Sequence, residues 1–185
     1  MSATDVLKDE HRGVERMLAI VEAASNRLAA GGAVPAELYL NAVDFFRGFT
    51  DGCHHAKEES KLFPALEQHG VSRQGGPVGV MLAEHEMGRT YVRAMAEAAA
   101  RYSQGDKSAA SGLVQCGRSY VSLLRQHIAK EDGILFPLAD RVLSEGEQAQ
   151  LGEEFEAIER ERTGPGEHER YHHMLDELEQ VVAGW

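Results

Sequence analysis

Apolar residues recur in the N-terminal part of the chain in alternating steps of four and three, which is the spacing of one face of an α-helix. This face consists of Leu7, His11, Val14, Leu18, Val21, Ser25 and Leu28. Gly31 and Gly32 end the predicted helix, and Pro35, a residue favoured in a first turn, opens the next one. A histidine therefore lies within an apolar stripe that we expect to face a core.

Three further helical segments follow, and no segment has the pattern of a strand. The second helix is predicted from Pro35 to Pro64, where the proline is expected to kink or stop it. Residues 70–77 are rich in helix breakers, and the third and fourth helices are predicted over residues 78–102 and 108–137. The apolar stripe of the fourth helix consists of Cys116, Tyr120, Leu124, His127, Glu131 and Leu135. The pattern predicts an all-α protein.

Four long helices joined by short connections predict an antiparallel up-down four-helix bundle, which we assign to residues 1–140. Residues 141–185 are predicted to form a helical extension packed on the outside of this bundle. Ser144 and Glu147 have the spacing of a capping box that opens a further helix. Residues 163–166 are expected to break that helix, and residues 167–182 to form the last one.

The chain contains two copies of one motif, HHAKEESKLFP at residues 54–64 and HIAKEDGILFP at residues 127–137. Seven of the eleven positions are identical. A Glu-His pair precedes each copy, at Glu10 and His11 for the first and at Glu84 and His85 for the second. The two histidines of a copy are 43 residues apart in the first and 42 in the second. We infer two similar helix hairpins in succession.

The histidine and the glutamate of each motif are four residues apart, so they lie on one helix face. Together with the preceding histidines they give six candidate metal ligands: His11, His54, Glu58, His85, His127 and Glu131. If each glutamate bridges two ions, each ion has two imidazoles and two carboxylate oxygens, with room for a bridging oxo or hydroxo group and an open position. Such ligands without thiolate are compatible with iron or manganese and argue against structural zinc.

The residues beside the candidate ligands are predicted to lie outside the site. His55 is about 100° around the helix from His54, and Ile128 replaces it in the second copy. We therefore expect His55 on the surface or behind the ligands. Glu59 and Asp132 are likewise expected to point away from the ligand face.

Composition restricts the class of protein further. The chain has 185 residues, with 19 basic against 30 acidic, and its formal charge of −11 with no basic stripe argues against a nucleic-acid partner. The N-terminus has no apolar signal core, and the apolar runs are too short to cross a bilayer, so we expect a cytoplasmic protein without a membrane partner. Cys53 and Cys116 do not form a disulfide framework and are expected to be small core residues.

A histidine is followed by His-x-x-x-Glu, this order is repeated, and each copy contains Lys-Glu-Glu/Asp and Leu-Phe-Pro. The arrangement resembles the hemerythrin-like (HHE cation-binding) domain family. The resemblance covers residues 7–139. It implies a non-haem di-iron centre in a four-helix bundle, with the six candidates as ligands and with Glu58 and Glu131 as the bridging pair. Two iron ions are the expected cofactor, ahead of manganese or zinc.

One departure from the family bears on function. Oxygen-carrying hemerythrins have a His-x-x-x-His pair on the third helix, whereas Arg89 stands four residues after His85. The ligand set looks more like members associated with nitric oxide and oxidative stress, including repair-of-iron-centres proteins. Those carry an N-terminal cysteine-bearing segment, and this chain begins almost at the first ligand helix, so iron–sulfur repair is one option among several. We expect a centre that binds or reacts with O2, peroxide or nitric oxide in a stress response.

Two other functions stay open at this stage: a carrier or sensor of oxygen or iron without turnover, and a purely structural metal site. No general acid or base stands out beyond the ligands, so no catalytic residue is assigned, and the sequence leaves open whether the protein is an enzyme. The physiological small molecule, the electron donor and the oligomeric state are also open. A second histidine group lies in the tail at His168, Tyr171, His172 and His173. We interpret it as part of an exposed amphipathic helix, with a lid over the site as the alternative.

Overall fold

The computed structural model describes residues 2–164 and 166–185, and within these ranges the chain is helical and has no strand. The α-helices are α1 (Ala3–Ala29), α2 (Ala36–Phe45), α3 (Phe63–Gln68), α4 (Pro77–Ser103), α5 (Ala110–Lys130), α6 (Phe136–Val142), α7 (Glu145–Ile158) and α8 (Glu167–Ala183). Four segments are π-helical, Phe46–His55, Glu58–Leu62, Glu131–Leu135 and Glu159–Thr163, and Lys107–Ala109 is a 3₁₀ turn. The prediction of an all-α protein is confirmed.

Helix α1 has the start, the stripe and the end that its sequence predicts. Ser2 caps it in a capping box with Asp5. The seven residues of the predicted stripe are buried except for the half-buried Leu28. The chain leaves the helix at Gly31, whose φ of +80° lies in the left-handed region that favours glycine.

The second helical segment does not stop at Pro64, because the hydrogen-bond register changes just before the proline. The chain is helical from residue 36 to residue 68. The Phe63 amide donates to the carbonyl of Glu58, five residues back, and Pro64 then lies in the first turn of α3, where a missing N–H is tolerated. The second copy repeats this at Pro137, and the chain continues helical to Val142.

Two hydrophobic clusters fill the interior formed by the described residues. Helix α5 packs against α1 and α4, and α2 packs against α4. The first cluster includes Val14, Phe49, Val92, Tyr120 and Ile128, and the second includes Leu7, Leu62, Met81 and Leu135. On each long helical segment the candidate ligands lie between members of the two clusters. The sequence pattern thus places a polar layer inside an apolar interior.

The C-terminal segments share both clusters with the helices before them. The predicted capping box is confirmed, because Ser144 and Glu147 cap α7 reciprocally. Leu151 and Phe155 of α7 belong to the second cluster. Tyr171, Leu175 and Leu178 of α8 belong to the first.

The contact between α8 and α1 includes an ion pair of Arg16 with Asp176 (2.6 Å) and Glu179 (2.7 Å). The predicted break before α8 contains Gly164 and Gly166, both with positive φ, and its Pro165 lies outside the described residues. Cys53 is buried as predicted, and Cys116 is half-buried. None of the described helices has both the length and the apolar character that a membrane span requires.

Candidate metal centre

The structure brings all six candidate ligands together in the polar layer, where each is at most 2% exposed. Potential ligand atoms lie within 4.8 Å of one another in two groups that share Glu58. The first group is His11, His54, Glu58 and Glu131, and the second is His55, Glu58, His85 and His127. His11 comes from α1, His85 from α4, His127 from the end of α5, and the remaining predicted ligands from the π-helical segments. The second group adds His55, which was not predicted as a ligand.

The four predicted histidines form two pairs, one from each sequence repeat. The Nε2 atoms of His11 and His54 are 3.1 Å apart, and those of His85 and His127 are also 3.1 Å apart. In each pair the first histidine belongs to the helix before the motif and the second to the motif itself. The duplication in the sequence therefore appears as two matching imidazole pairs in space.

Each glutamate reaches one histidine of each pair. Glu131 Oε2 is 3.2 Å from His11 Nε2, and its Oε1 is 3.2 Å from His127 Nε2. Glu58 Oε1 is 3.6 Å from His54 Nε2, and its Oε2 is 3.4 Å from His85 Nε2. The two carboxylates thus span the space between the imidazole pairs, one oxygen toward each.

A carboxylate holds the outer nitrogen of each of these four imidazoles. The Nδ1 partners are Asp132 for His11 (2.8 Å), Glu10 for His54 (2.9 Å), Glu59 for His85 (2.7 Å) and Glu84 for His127 (3.0 Å). An ionised carboxylate only accepts hydrogen bonds, so each Nδ1 carries a proton, and in the neutral imidazole the lone pair of Nε2 then faces inward. Carboxylates that orient imidazoles in this way are typical of histidine metal sites.

Sequence reasoning missed these four carboxylates as functional residues. Glu59 and Asp132 were expected to point away from the ligand face and outside the site, but each contacts the Nδ1 of a candidate ligand histidine on another helix. A signal was present, because an acidic residue occupies the same position in both copies, just after the ligand glutamate and just before the first histidine. The function of these acidic residues was not evident from the sequence, because it depends on which helices pack against one another.

Two lysines complete the arrangement and account for another identity in the repeat. The Lys57 ammonium donates to Glu10, and the Lys130 ammonium donates to Glu84. Each lysine therefore anchors the carboxylate that holds the histidine of its own motif. In the same way, Arg89 donates to Glu59 (2.7 Å), which holds His85. The residue read from the sequence as a missing fifth imidazole is thus part of the support of the site.

The two central glutamates are buried without hydrogen bonds, which is the strongest sign that the residues fit a cation. All four carboxylate oxygens of Glu58 and Glu131 lack a hydrogen-bond partner within the described residues. Burial and the charge of Glu131 raise the pKa of Glu58, whereas the neighbouring His127 and His11 overcome the effect of burial and lower the pKa of Glu131. Buried polar atoms are normally paired. Cations placed between these carboxylate oxygens and the Nε2 atoms of the four histidines would give both the oxygens and the nitrogens a partner.

Of the two positions expected for His55, on the surface or behind the ligands, the surface is excluded because its side chain is only 4% exposed. Its ring stacks on that of His85, with centroids 3.8 Å apart and planes 16° apart. The corresponding residue of the second copy, Ile128, is also buried, although it lies in the regular helix α5. His54 and His55, although adjacent, are thus both buried in the interior.

A cavity of about 250 Å³ lies beside His55. Its walls include the rings of Phe46 and Tyr120 and the charged side chains of Asp51 and Arg89. No residue of α8 is among the described residues that line it. This cavity is large enough for a small molecule next to the polar layer.

The tail histidines lie apart from this centre. The rings of His168 and His172 meet edge to face with centroids 4.6 Å apart, and in the described residues neither belongs to a group that could hold a metal. Tyr171 is buried with its ring against Phe45, at 5.5 Å between centroids. The exposed His173 is on the opposite side of α8, so the helix is amphipathic as predicted.

Comparison with known proteins gives one family and three relatives. Residues 2–139 match the model of the hemerythrin HHE cation-binding domain. The chain is 29% identical over 164 residues to uncharacterized proteins of Mycobacterium bovis and of two strains of Mycobacterium tuberculosis, which covers 89% of this chain. It spans 64% of the length of these curated relatives. No solved structure matches the chain significantly.

Proposed function

The chain belongs to the hemerythrin HHE cation-binding domain family, and we propose that its buried cluster holds two iron ions that bind or react with O2, peroxide or nitric oxide in a stress response. One observation carries the proposal: Glu58 and Glu131 each extend one unpaired oxygen toward one imidazole pair and the other oxygen toward the second pair. A carboxylate so placed is suited to bridge two ions. Manganese and zinc are the less favoured alternatives, because iron suits the mixed imidazole and carboxylate donors and is implied by the family.

Each imidazole pair would hold one ion. His11 and His54 would hold the first, His85 and His127 the second, and the two glutamates would bridge them. Bound there, two iron ions supply Lewis acidity and an electron reservoir. We further propose that the long helical segments form an antiparallel up-down bundle, an architecture in which facing side chains commonly build such sites.

The other residues of the site orient the ligands and keep water out. The carboxylates on the Nδ1 atoms fix which imidazole nitrogen carries the proton. Phe136 stacks on His11 with centroids 5.4 Å apart, and Phe63 stacks on His85 with centroids 5.9 Å apart. The two phenylalanines of the Leu-Phe-Pro motifs therefore cover equivalent sides of the centre. Only a small molecule fits the cavity beside His55.

The second candidate function is a reversible carrier or sensor of oxygen or iron without turnover. The small size of the cavity beside His55 favours it. Both functions require the same metal content. A reactive centre consumes the small molecule that it binds, whereas a carrier or sensor releases it unchanged.

We expect purified protein to contain about two irons per chain, as in carboxylate-bridged di-iron bundles. The reduced protein is mixed separately with O2, hydrogen peroxide and nitric oxide, and the optical spectrum and the consumption of each reagent are followed. Consumption of more than two equivalents per chain, with an excess of chemical reductant present to restore the reduced centre, supports a reactive centre. A stable spectral change that reverses when O2 is removed favours the carrier, and zinc or no metal in the purified protein contradicts the di-iron proposal.

Loss of one outer carboxylate is expected to weaken iron binding without unfolding the protein. In Asp132→Ala the Nδ1 of His11 loses its acceptor, so the inward orientation of the Nε2 lone pair is no longer fixed. We expect the iron affinity to fall about 10–100-fold, the usual effect of losing such a partner. Chelator competition measures it. Asp9→Ala is the matched control on α1, because Asp9 pairs with Arg12 at the surface; equal affinities for the two variants would contradict the role of Asp132.

A further inference from the structure

We propose that His55 is an additional nitrogen ligand, bound to the ion that His85 and His127 hold. The inference rests on the proposed function, since it assumes that this ion is present. It assigns to the centre a seventh protein ligand, which the duplicated motif does not predict.

His55 is held in the same manner as the four predicted histidine ligands. Its Nδ1 is 3.2 Å from Asp51 Oδ1, and Asp51 is fixed in turn by Arg89 at 2.8 Å. An ionised carboxylate accepts from Nδ1–H, which leaves the lone pair on Nε2. A buried imidazole whose outer nitrogen is anchored by a carboxylate is a typical arrangement for a metal ligand.

The inner nitrogen of His55 has no other use in the described part of the chain. Its Nε2 is buried and has no hydrogen-bond partner there. A His55 nitrogen also lies within 4.8 Å of ligand atoms of Glu58, His85 and His127. An unpaired buried acceptor is unfavourable, and a cation bound by its neighbours would satisfy it. The stacking on His85 brings both rings to the same end of the centre.

The two ions would then have different donor sets. Ile128 occupies the position of His55 in the second repeat and belongs to the first hydrophobic cluster. The ion between His11 and His54 therefore has no equivalent third imidazole. A centre built from a duplicated hairpin is made asymmetric by one histidine.

Iron-57 Mössbauer spectroscopy of the loaded protein tests the assignment. We expect two distinct doublets in the wild-type protein, and in His55→Gln a change in one doublet only, with about two irons per chain retained because the six other ligands remain. His69→Gln, which alters a histidine at the surface, is the matched control. A His55→Gln spectrum that superimposes on the wild-type spectrum overturns the proposal.

A crystal structure of the iron-loaded wild-type protein gives an answer that does not depend on any variant. A distance of about 2.1 Å from His55 Nε2 to iron, as for other metal–imidazole bonds, is expected. An Nε2 atom turned away from the ion overturns the assignment of His55 and leaves the di-iron proposal intact. Wild-type protein that takes up no iron overturns both.

Discussion

Replacing Glu58 with alanine is expected to remove most of the iron from the protein, and Glu131→Ala is expected to do the same. Each carboxylate places one oxygen near each imidazole pair, so one substitution deprives both ions of a ligand at once. We expect the iron content to fall from about two per chain to well below one, a larger effect than the loss of an orienting partner. Metal analysis of the purified variants measures it.

Glu22→Ala is the control, because Glu22 lies on α1 and pairs with Arg125 at the surface. Its iron content should equal that of the wild-type protein. A second experiment separates metal loss from unfolding. In urea unfolding, the metal-free Glu58→Leu variant should be more stable than the metal-free wild type, because the substitution removes a buried carboxylate that has no hydrogen bonds. Full iron content in Glu58→Ala and Glu131→Ala would rule out the bridging role.

The helices and the candidate ligands were predictable because the information for them is local. The stripe that contains His11, the glycines that end α1 and the capping box at Ser144 depend on residues a few positions apart. The spacing of His54 and Glu58 also fixes their common face. Since the motif occurs twice, the second copy tested the interpretation of the first within the same chain.

The features that the sequence did not reveal depend on contacts between distant segments. His55 is buried against His85 of α4, a contact that no pattern within its own helix announced. Likewise, the hydrogen bond from His54 to Glu10 joins two helices 44 positions apart in the chain. Such partners are fixed only when the helices pack.

Arg89 illustrates how a local comparison gives an incomplete interpretation. Measured against the oxygen-carrying members of the family, it is the position at which an imidazole is missing. In the folded chain its guanidinium joins Asp51 and Glu59, and these two carboxylates hold His55 and His85. The departure from the family pattern is therefore structural support for two histidines, and it does not by itself decide between carriage and reaction.

Replacing Lys57 with methionine is expected to destabilise the metal-free protein far more than the same change at Lys130. The Lys57 side chain is fully buried, and its ammonium binds Glu10, which is itself only 6% exposed. Burial disfavours the charged lysine, but the Glu10 charge prevails and raises the pKa of Lys57. Methionine keeps most of the side-chain volume and leaves Glu10 buried without its cation. Breaking a buried pair in this way costs about 3–5 kcal/mol, or a Tm decrease of roughly 6–20 °C.

Lys130 is the internal control, because it anchors Glu84 as Lys57 anchors Glu10, at the equivalent position of the second repeat. Its side chain is 37% exposed and that of Glu84 is 17% exposed, so water solvates both when the pair is lost. We expect Lys130→Met to cost about 1 kcal/mol or less. Urea unfolding of the two metal-free variants measures the difference. The two lysine–glutamate pairs differ in their burial. Equal destabilisation of the Lys57→Met and Lys130→Met variants would therefore show that the burial of the pair does not determine the cost of losing the lysine.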